Sequence, residues 1–295
     1  MTEQSSHKSG FVNIIGKPNA GKSTLLNALL GEKLAIVTQK VQTTRHRIFG
    51  IVNQPEYQIV FSDTPGVLEP KYELQEKMMD FVKESFKDAD IIIFITEIGD
   101  EKKPSEYIIE KLKKTTIPFF ILINKIDISD QKRVEKSVAF WHEIFPEAEI
   151  LPVSAMHKVN TEYIIPKIVS MLPIAPPYFD KDAITDKPER FFVNEIIREK
   201  ILLNYEKEIP YSVEIVTESF KELEDILKIE SLIYVERDSQ KGIIIGHKGN
   251  ALRNVAIESM KELEKFFAKK IDLHLFVKVK KDWRKNAKEL KKFGY

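Results

Sequence analysis

Short apolar runs and longer amphipathic stretches alternate from residue 11 to about residue 172. Runs at 11–15, 48–52, 57–62, 90–96, 118–123 and 149–153 are rich in Val, Ile and Phe and read as strands. Stretches at 22–30, 73–86, 105–113, 131–144 and 161–170 repeat their apolar residues three and four apart and read as helices. Strands that are apolar throughout, separated by helices, predict an α/β domain with a mainly parallel six-stranded sheet covered on both faces. Residues 173–188 break the rhythm with Pro173, Pro176, Pro177 and Pro188 among polar residues, which reads as a linker. Beyond it the grammar changes. A helical stretch at 189–206 leads to strands at 211–218 and 232–237, a glycine turn, a helix at 250–269, a strand at 271–279 and a short tail helix. The order α-β-β-α-α-β predicts a smaller α+β domain over 189–295. Residues 1–10 form a polar tail with no apolar stretch of the secretory kind.

Composition narrows the chemistry. The chain of 295 residues is 43% hydrophobic and 31% charged, enough for two cores and a solvated surface. It has no cysteine, so thiolate metal sites, disulfides and cysteine nucleophiles are excluded, and the expected setting is a reducing cytoplasm. The longest apolar runs, 91–95 and 119–123, are far too short to span a bilayer. The net charge of +1 hides a gradient: residues 241–295 hold fifteen Lys/Arg against six Asp/Glu, while 181–240 hold nine against fifteen. A locally basic end on a neutral chain suggests a polyanion contact confined to that end, or simply a solvated lysine-rich face.

Against that frame five motifs stand in a fixed order. Gly16-Lys17-Pro18-Asn19-Ala20-Gly21-Lys22-Ser23 joins a strand to a helix, the setting of a phosphate-binding loop. Gly16 and Gly21 permit close backbone approach, the amides of Gly16, Asn19, Ala20, Gly21, Lys22, Ser23 and Thr24 surround a phosphate, Lys22 bridges phosphates, and Ser23 ligates Mg²⁺. Asp63-Thr64-Pro65-Gly66 closes the third strand, with Asp63 holding Mg²⁺ through water and the Gly66 amide facing the terminal phosphate. Asn124-Lys125-Ile126-Asp127 follows another strand. The Asp127 carboxylate can accept from the ring N–H and exocyclic amine of guanine together, a donor pair adenine lacks. Lys125 packs on the base, Asn124 ties this loop to the phosphate loop, and Ser154-Ala155 offers a backbone N–H to the base oxygen. The polar stretch 38–47 lies where a γ-phosphate-sensing switch belongs, with Thr44 as the Mg²⁺ ligand and Thr43 as the alternative.

These residues resemble the Era family of GTPases. The resemblance rests on residues 16–24 (GKPNAGKST), 42–47 (QTTRHR), 63–66 (DTPG), 124–127 (NKID), Ser154-Ala155 and the turn Gly246-His247-Lys248-Gly249, and it covers nearly the whole chain. It implies a Ras-like P-loop G domain at 11–172 followed by a type II KH domain at 189–295. It also implies GTP, GDP and Mg²⁺ as ligands, and single-stranded RNA at the Gly-Xaa-Xaa-Gly loop. The candidate RNA contacts are Ile245, Gly246, His247, Lys248, Gly249, Arg253, Lys280 and Arg284, with Ile243, Ile244 and Leu252 as groove walls. The resemblance further implies the 3′ end of 16S rRNA as partner and maturation of the small (30S) ribosomal subunit as role.

Where a water-orienting glutamine follows the Asp-Xaa-Xaa-Gly motif in Ras-type enzymes, this chain has Val67, which implies slow turnover, on the order of 10⁻⁴ to 10⁻² s⁻¹. Asn19 matches a position that helps hold K⁺ in some relatives, or else it only orders the loop. Three classes follow: a GTP-hydrolysing RNA switch, an RNA-binding scaffold that holds GTP with little hydrolysis, and a small-molecule kinase, against which Asn124–Asp127 argues. A monomer is expected. The basic tail admits a weak peripheral membrane contact as a side reading.

Overall fold

The computed structural model describes residues 7–295, and the chain divides into two compact units. The first comprises Met1–Ala35, Thr44–Pro70 and Lys77–Asp186, and the second Ile36–Thr43, Lys71–Glu76 and Lys187–Tyr295. Among the described residues no helix is long and apolar enough to cross a membrane.

The first unit runs β1 (Lys8–Ile15), α1 (Lys22–Leu30), β2 (Ile48–Asn53), β3 (Tyr57–Asp63), α2 (Glu73–Ser85, of which the part from Lys77 belongs to this unit), β4 (Ile91–Glu97), α3 (Glu106–Lys114), β5 (Phe119–Asn124), α4 (Gln131–Ile144), β6 (Ile150–Pro152) and α5 (Ile164–Met171). Its six strands lie in the order β2-β3-β1-β4-β5-β6. Only β2 is antiparallel. Strand alternation explains why every residue of Ile91–Ile95 is apolar. Ile92 and Phe94 enter a core with Ile15, Ile121, Trp141 and the α3 residues Ile108 and Leu112, while Ile91, Ile93 and Ile95 are buried on the opposite face. The parallel strands β1, β3, β4 and β5 all end at one edge, where their following loops gather.

Two sequence expectations change. Residues 8–10, read as tail, are the start of β1, and Lys8 pairs with Tyr57 across β3; residues 1–6 of that tail lie outside the described residues. The proline-rich stretch is no free linker as far as Asp186. Ile184 and Thr185 lie along β2, where the Ile51 amide donates to the Ile184 carbonyl at 3.0 Å. Gln58, fully buried, receives the amides of Tyr178 and Phe179 at 2.7 and 3.0 Å. Proline removes donors from such a segment without preventing its carbonyls from accepting.

The second unit contains α6 (Glu189–Asn204), β7 (Glu214–Glu222), β8 (Ile226–Val235), α7 (Asp238–Ile245), α8 (Asn250–Phe267), β9 (Lys270–Val279) and α9 (Ala287–Lys292). The sheet is β7-β8-β9, with β8 antiparallel to β7 and parallel to β9. Val193, Ile197 and Ile201 of α6, Val255 and Leu263 of α8, and Ile229, Ile233 and Val277 of the sheet form its core. The expected α-β-β-α-α-β order is present.

Candidate functional site

At the mouth of β1 the chain turns through Asn19, with φ 64°, and Gly21, with φ 102°, before α1 begins at Lys22. Space at the glycines is tight. A Cβ on Gly16 would sit 2.3 Å from the Ile95 carbonyl oxygen, and one on Gly21 would sit 2.1 Å from Asn124 Nδ2. Lys22 is 5% exposed, and its ammonium folds back onto the carbonyls of Gly16 and Lys17 at 3.2 and 2.8 Å. Burial pulls its pKa down to about 8, an effect that the nearby Asp63 carboxylate partly opposes. Lys17 fastens the loop from outside, pairing with Asp100 at 2.6 Å.

Ser23, Thr44 and Asp63 converge. Ser23 Oγ donates to Asp63 Oδ2 at 2.6 Å and lies 2.9 Å from Thr44 Oγ1, which itself lies 3.2 Å from Asp63 Oδ2. Asp63 is fully buried, and burial pushes its carboxyl upward despite Lys22 and the two hydroxyls. Its Oδ1 has no hydrogen-bond partner. A buried carboxylate oxygen without a partner, beside two hydroxyls, suits a hard cation that takes oxygen ligands, so the donor set fits Mg²⁺. Between the two threonines of the switch the geometry chooses: Thr43 Oγ1 turns to Thr38 and to the Lys40 carbonyl, leaving Thr44 at the cluster.

Thr64 Oγ1 donates to the Ile14 carbonyl at 3.0 Å, and Pro65 is buried. Gly66 lies against the phosphate loop, where a Cβ would stand 2.5 Å from Pro18 N. The Val67 amide donates to the Gly16 carbonyl at 3.2 Å, and its side chain packs on the core.

Asn124 joins three loops. Its Nδ2 donates to the Ala20 carbonyl at 2.9 Å, and its Oδ1 accepts the Ala155 amide at 2.9 Å. Asp127 Oδ1 accepts from Ser154 Oγ at 2.5 Å, and its Oδ2 faces His157 at 3.7 Å. Lys125, with φ 65°, pairs with Glu97 at the end of β4. The Ser154 amide donates to the Val159 carbonyl and the Ala155 amide to Asn124 Oδ1. Ser154 also orients the Asp127 carboxylate through its hydroxyl. Glu97, Asp100 and His157 escaped the sequence reading; the only signal for the first two was a pair of carboxylates closing the apolar β4.

In the second unit α7 runs through Gly242 to Ile245, so only residues 246–249 form the loop. Gly246, with φ 71° and ψ −179°, has conformational freedom that its site uses, since a Cβ there would meet Ala251 Cβ at 2.6 Å. Lys248 and Gly249 also have positive φ, at 51° and 79°. His247, Lys248 and Arg253 are exposed. Ile244 is fully buried in the core and cannot wall a groove, whereas Ile243 is half exposed and Ile245 and Leu252 are partly buried. Lys280 and Arg284, expected to face a polyanion, have partners inside the unit. Lys280 pairs with Glu289 over the rings of Tyr234 and Phe293, and Arg284 pairs with Glu236 with its guanidinium 5.0 Å from the Tyr72 ring centre. Glu236 and Glu289 neutralise them, so the exposed positive charge comes from Lys248 in the loop and Arg253 on the first turn of α8.

Two family models match this chain: one described as 50S ribosome-binding GTPase, over residues 11–125, and one described as KH domain, over residues 208–284. The GTPase Era of Geotalea daltonii is 46% identical, with 100% of each chain covered. That of Thermoanaerobacter sp. (strain X514) is 45% identical over 98% of this chain and 97% of its own. A crystal structure of Era in complex with MgGDPNP and nucleotides 1506–1542 of 16S ribosomal RNA matches with a TM-score of 0.93 at 38% identity, covering 98% of this chain and 99% of that one. A variant of Aquifex aeolicus Era bound to GDP·AlF4⁻ matches equally well, with the same TM-score, identity and coverage. Similarity of this depth runs through both units, and the chain belongs to the Era family of GTPases.

Proposed function

We propose that this chain is a slow GTPase switch that binds single-stranded ribosomal RNA through residues 246–249. Its RNA is the 3′ end of 16S rRNA, and its work is maturation of the small ribosomal subunit. One observation carries the nucleotide half: Ser23, Thr44 and Asp63 meet at a buried point where Asp63 Oδ1 has no partner. The RNA half rests on the exposed, left-handed Lys248 between two glycines and on the RNA held by the related Era structure.

Bound Mg²⁺ supplies charge neutralisation on the phosphates. Ser23, Thr44 and Asp63 are the residues that would hold it, Asp63 through water. Lys22 exchanges two loop carbonyls for phosphate oxygens, and the amides of Gly16, Asn19, Ala20, Gly21, Lys22, Ser23, Thr24 and Gly66 position the triphosphate. Asp127, held by Ser154, reads guanine, with Lys125 against the base. The residue after Gly66 has no group able to accept a proton from water or to orient it, so intrinsic hydrolysis is slow. We also read Asn19 as a K⁺ ligand: replacing Na⁺ by K⁺ should raise the single-turnover rate, and equal rates in the two salts refute this. A monomeric state, a cytoplasmic location and any weak membrane contact of the basic C-terminal segment belong to the same reading.

The test is fluorescence anisotropy of a labelled 16S 3′-end oligonucleotide with the full chain, in GDP and in a non-hydrolysable GTP analogue. Affinities that differ at least fivefold support a switch, equal affinities refute coupling, and absence of binding refutes the RNA assignment. Val67 favours a second reading, a scaffold that holds GTP without turning it over. Multiple-turnover phosphate release with and without RNA separates the two.

A further inference from the structure

Strand β4 ends at Glu97, which lies beside Asn124 at the end of β5. Lys125 follows Asn124, and its ammonium pairs with the Glu97 carboxylate. Residues 17, 96–103 and 124–126 all belong to the first unit. The backbone on the lysine side is fixed. Lys125 holds a left-handed conformation, φ 65°, which is uncommon outside glycine. The turn that imposes it is tied down on both sides. Asn124 makes its two contacts to Ala20 and Ala155, and the Ile126 amide donates to the Val153 carbonyl at 3.3 Å.

Glu97 is held from its own side. Its amide donates to Asp100 Oδ2 at 3.3 Å, and the Thr96 hydroxyl donates to the same oxygen at 2.9 Å. The other oxygen of Asp100 accepts from the Lys17 ammonium at 2.6 Å, and Lys17 also donates to the Lys103 carbonyl. The corner after β4 is thereby fastened to the phosphate loop through Asp100 and to the guanine-facing loop through Glu97.

A lysine stem is flexible, and ordering it costs conformational entropy. Here the turn sets Cα and Glu97 sets Nζ, so the methylenes between them have few arrangements left. A base that packs on a stem already held loses less freedom on binding. The ion pair also changes strength with occupancy. Each side chain is 34% exposed, and water screens such a pair. A purine laid along the stem displaces that water, and the attraction between the charges grows as the local dielectric falls. Glu97 therefore contributes more to the bound state than to the fold.

We propose that Glu97 is a positioning residue for guanine-nucleotide binding: its carboxylate holds the Lys125 ammonium so that the lysine stem stands ready for the purine. The proposal rests on the reading of Lys125 as the residue against the base. It predicts equal effects on diphosphate and triphosphate, because both carry the same base. It also predicts a higher half-saturating GTP concentration at an unchanged plateau rate, the mark of binding shared by ground and transition states.

The experiment uses full-length Glu97→Ala, Glu97→Gln, Lys125→Ala and the Glu97→Ala/Lys125→Ala pair. Four readouts are taken: affinity and release rate of fluorescent GDP, affinity of a non-hydrolysable GTP analogue, single-turnover hydrolysis against GTP concentration, and the melting temperature without nucleotide. Glu97→Ala should weaken GDP and the analogue alike by about fivefold, the upper end for a partly exposed pair, chiefly through faster release. The plateau rate should not change, and the melting temperature should stay within about 2 °C of the parent. Glu97→Gln should recover part of the loss, since its amide oxygen still accepts from Nζ. The pair should be no worse than Lys125→Ala alone. Unequal loss of GDP and analogue, a lower plateau rate, or additive effects in the pair would overturn the proposal. A silent Lys125→Ala brings down the reading of Lys125 against the base and the proposal with it; a silent Glu97→Ala beside an impaired Lys125→Ala brings down the proposal alone.

Discussion

Asn124→Ala isolates the part of the nucleotide site that is architecture rather than chemistry. Asn124 is 3% exposed and spends both ends of its amide on backbone groups, the Ala20 carbonyl and the Ala155 N–H, each at 2.9 Å. Truncation leaves both groups in a site closed to water. A buried polar group without a partner costs about 1–3 kcal/mol, so the pair costs about 2–6 kcal/mol before relaxation. A loss of about 3 kcal/mol lowers the melting temperature by about 6–12 °C for a domain of this size. GDP and GTP should both weaken at least tenfold, since the phosphate loop and the 154–155 loop lose their common tie. Asn124→Asp keeps the acceptor for Ala155 but sets a carboxylate against the Ala20 carbonyl, so it should be no better. The assay is thermal melting without nucleotide, paired with GDP titration calorimetry. A variant that melts within 1–2 °C of the parent and binds GDP as tightly would refute the bridge.

Lys22, pulled to about 8 by burial, should couple phosphate binding to pH. Phosphates favour the charged form, so above about pH 8 binding requires Lys22 to take up a proton; GDP affinity should be full below pH 7 and about tenfold weaker at pH 9. Lys22→Arg, charged across this range, should flatten that dependence, and a pH profile shared by the two proteins would refute it. Lys248→Ala should lower RNA affinity and reduce the slope of log affinity against log salt by about 0.7, with melting unchanged because the side chain is exposed. Arg284→Ala should do the reverse, lowering the melting temperature with little change in salt slope, because Arg284 is committed to Glu236 and Tyr72. An exchange of these two phenotypes would refute the assignment of surface and structural charge.

The fold was most legible where one periodicity ruled. Helices α1 and α4 fall at the expected bounds, because α1 begins directly after a loop glycine and Asp130 caps α4 at the Arg133 amide. The hairpin β7-β8 was not legible at its tip. Charge-dense residues 219–231 look like a loop, yet Phe220, Leu227 and Ile229 point to the core while Lys221, Lys228 and Glu230 face out, and the turn at 224–225 has no glycine to announce it. The site followed the same rule. Gly16, Lys22, Asp63, Asn124 and Asp127 were readable because local spacing fixes their geometry. Glu97 was not, since a carboxylate ending an apolar strand reads as solvent-facing and its partner Lys125 lies 28 positions away on the loop after β5. Arg284 and Lys280 misled for the mirror reason: a run of cations shows charge, and only the fold shows which carboxylates quench it.

The central claim is that a guanine nucleotide is selected by Asp127, with Ser154 holding one oxygen of its carboxylate. Titration calorimetry of GTP and xanthosine triphosphate against the parent and Asp127→Asn tests it directly. The account predicts that the parent prefers GTP and that the variant reverses the order, because an amide presents a donor where xanthine presents a carbonyl. A variant that keeps the parent's affinity for GTP and its rejection of the xanthine nucleotide would contradict the account.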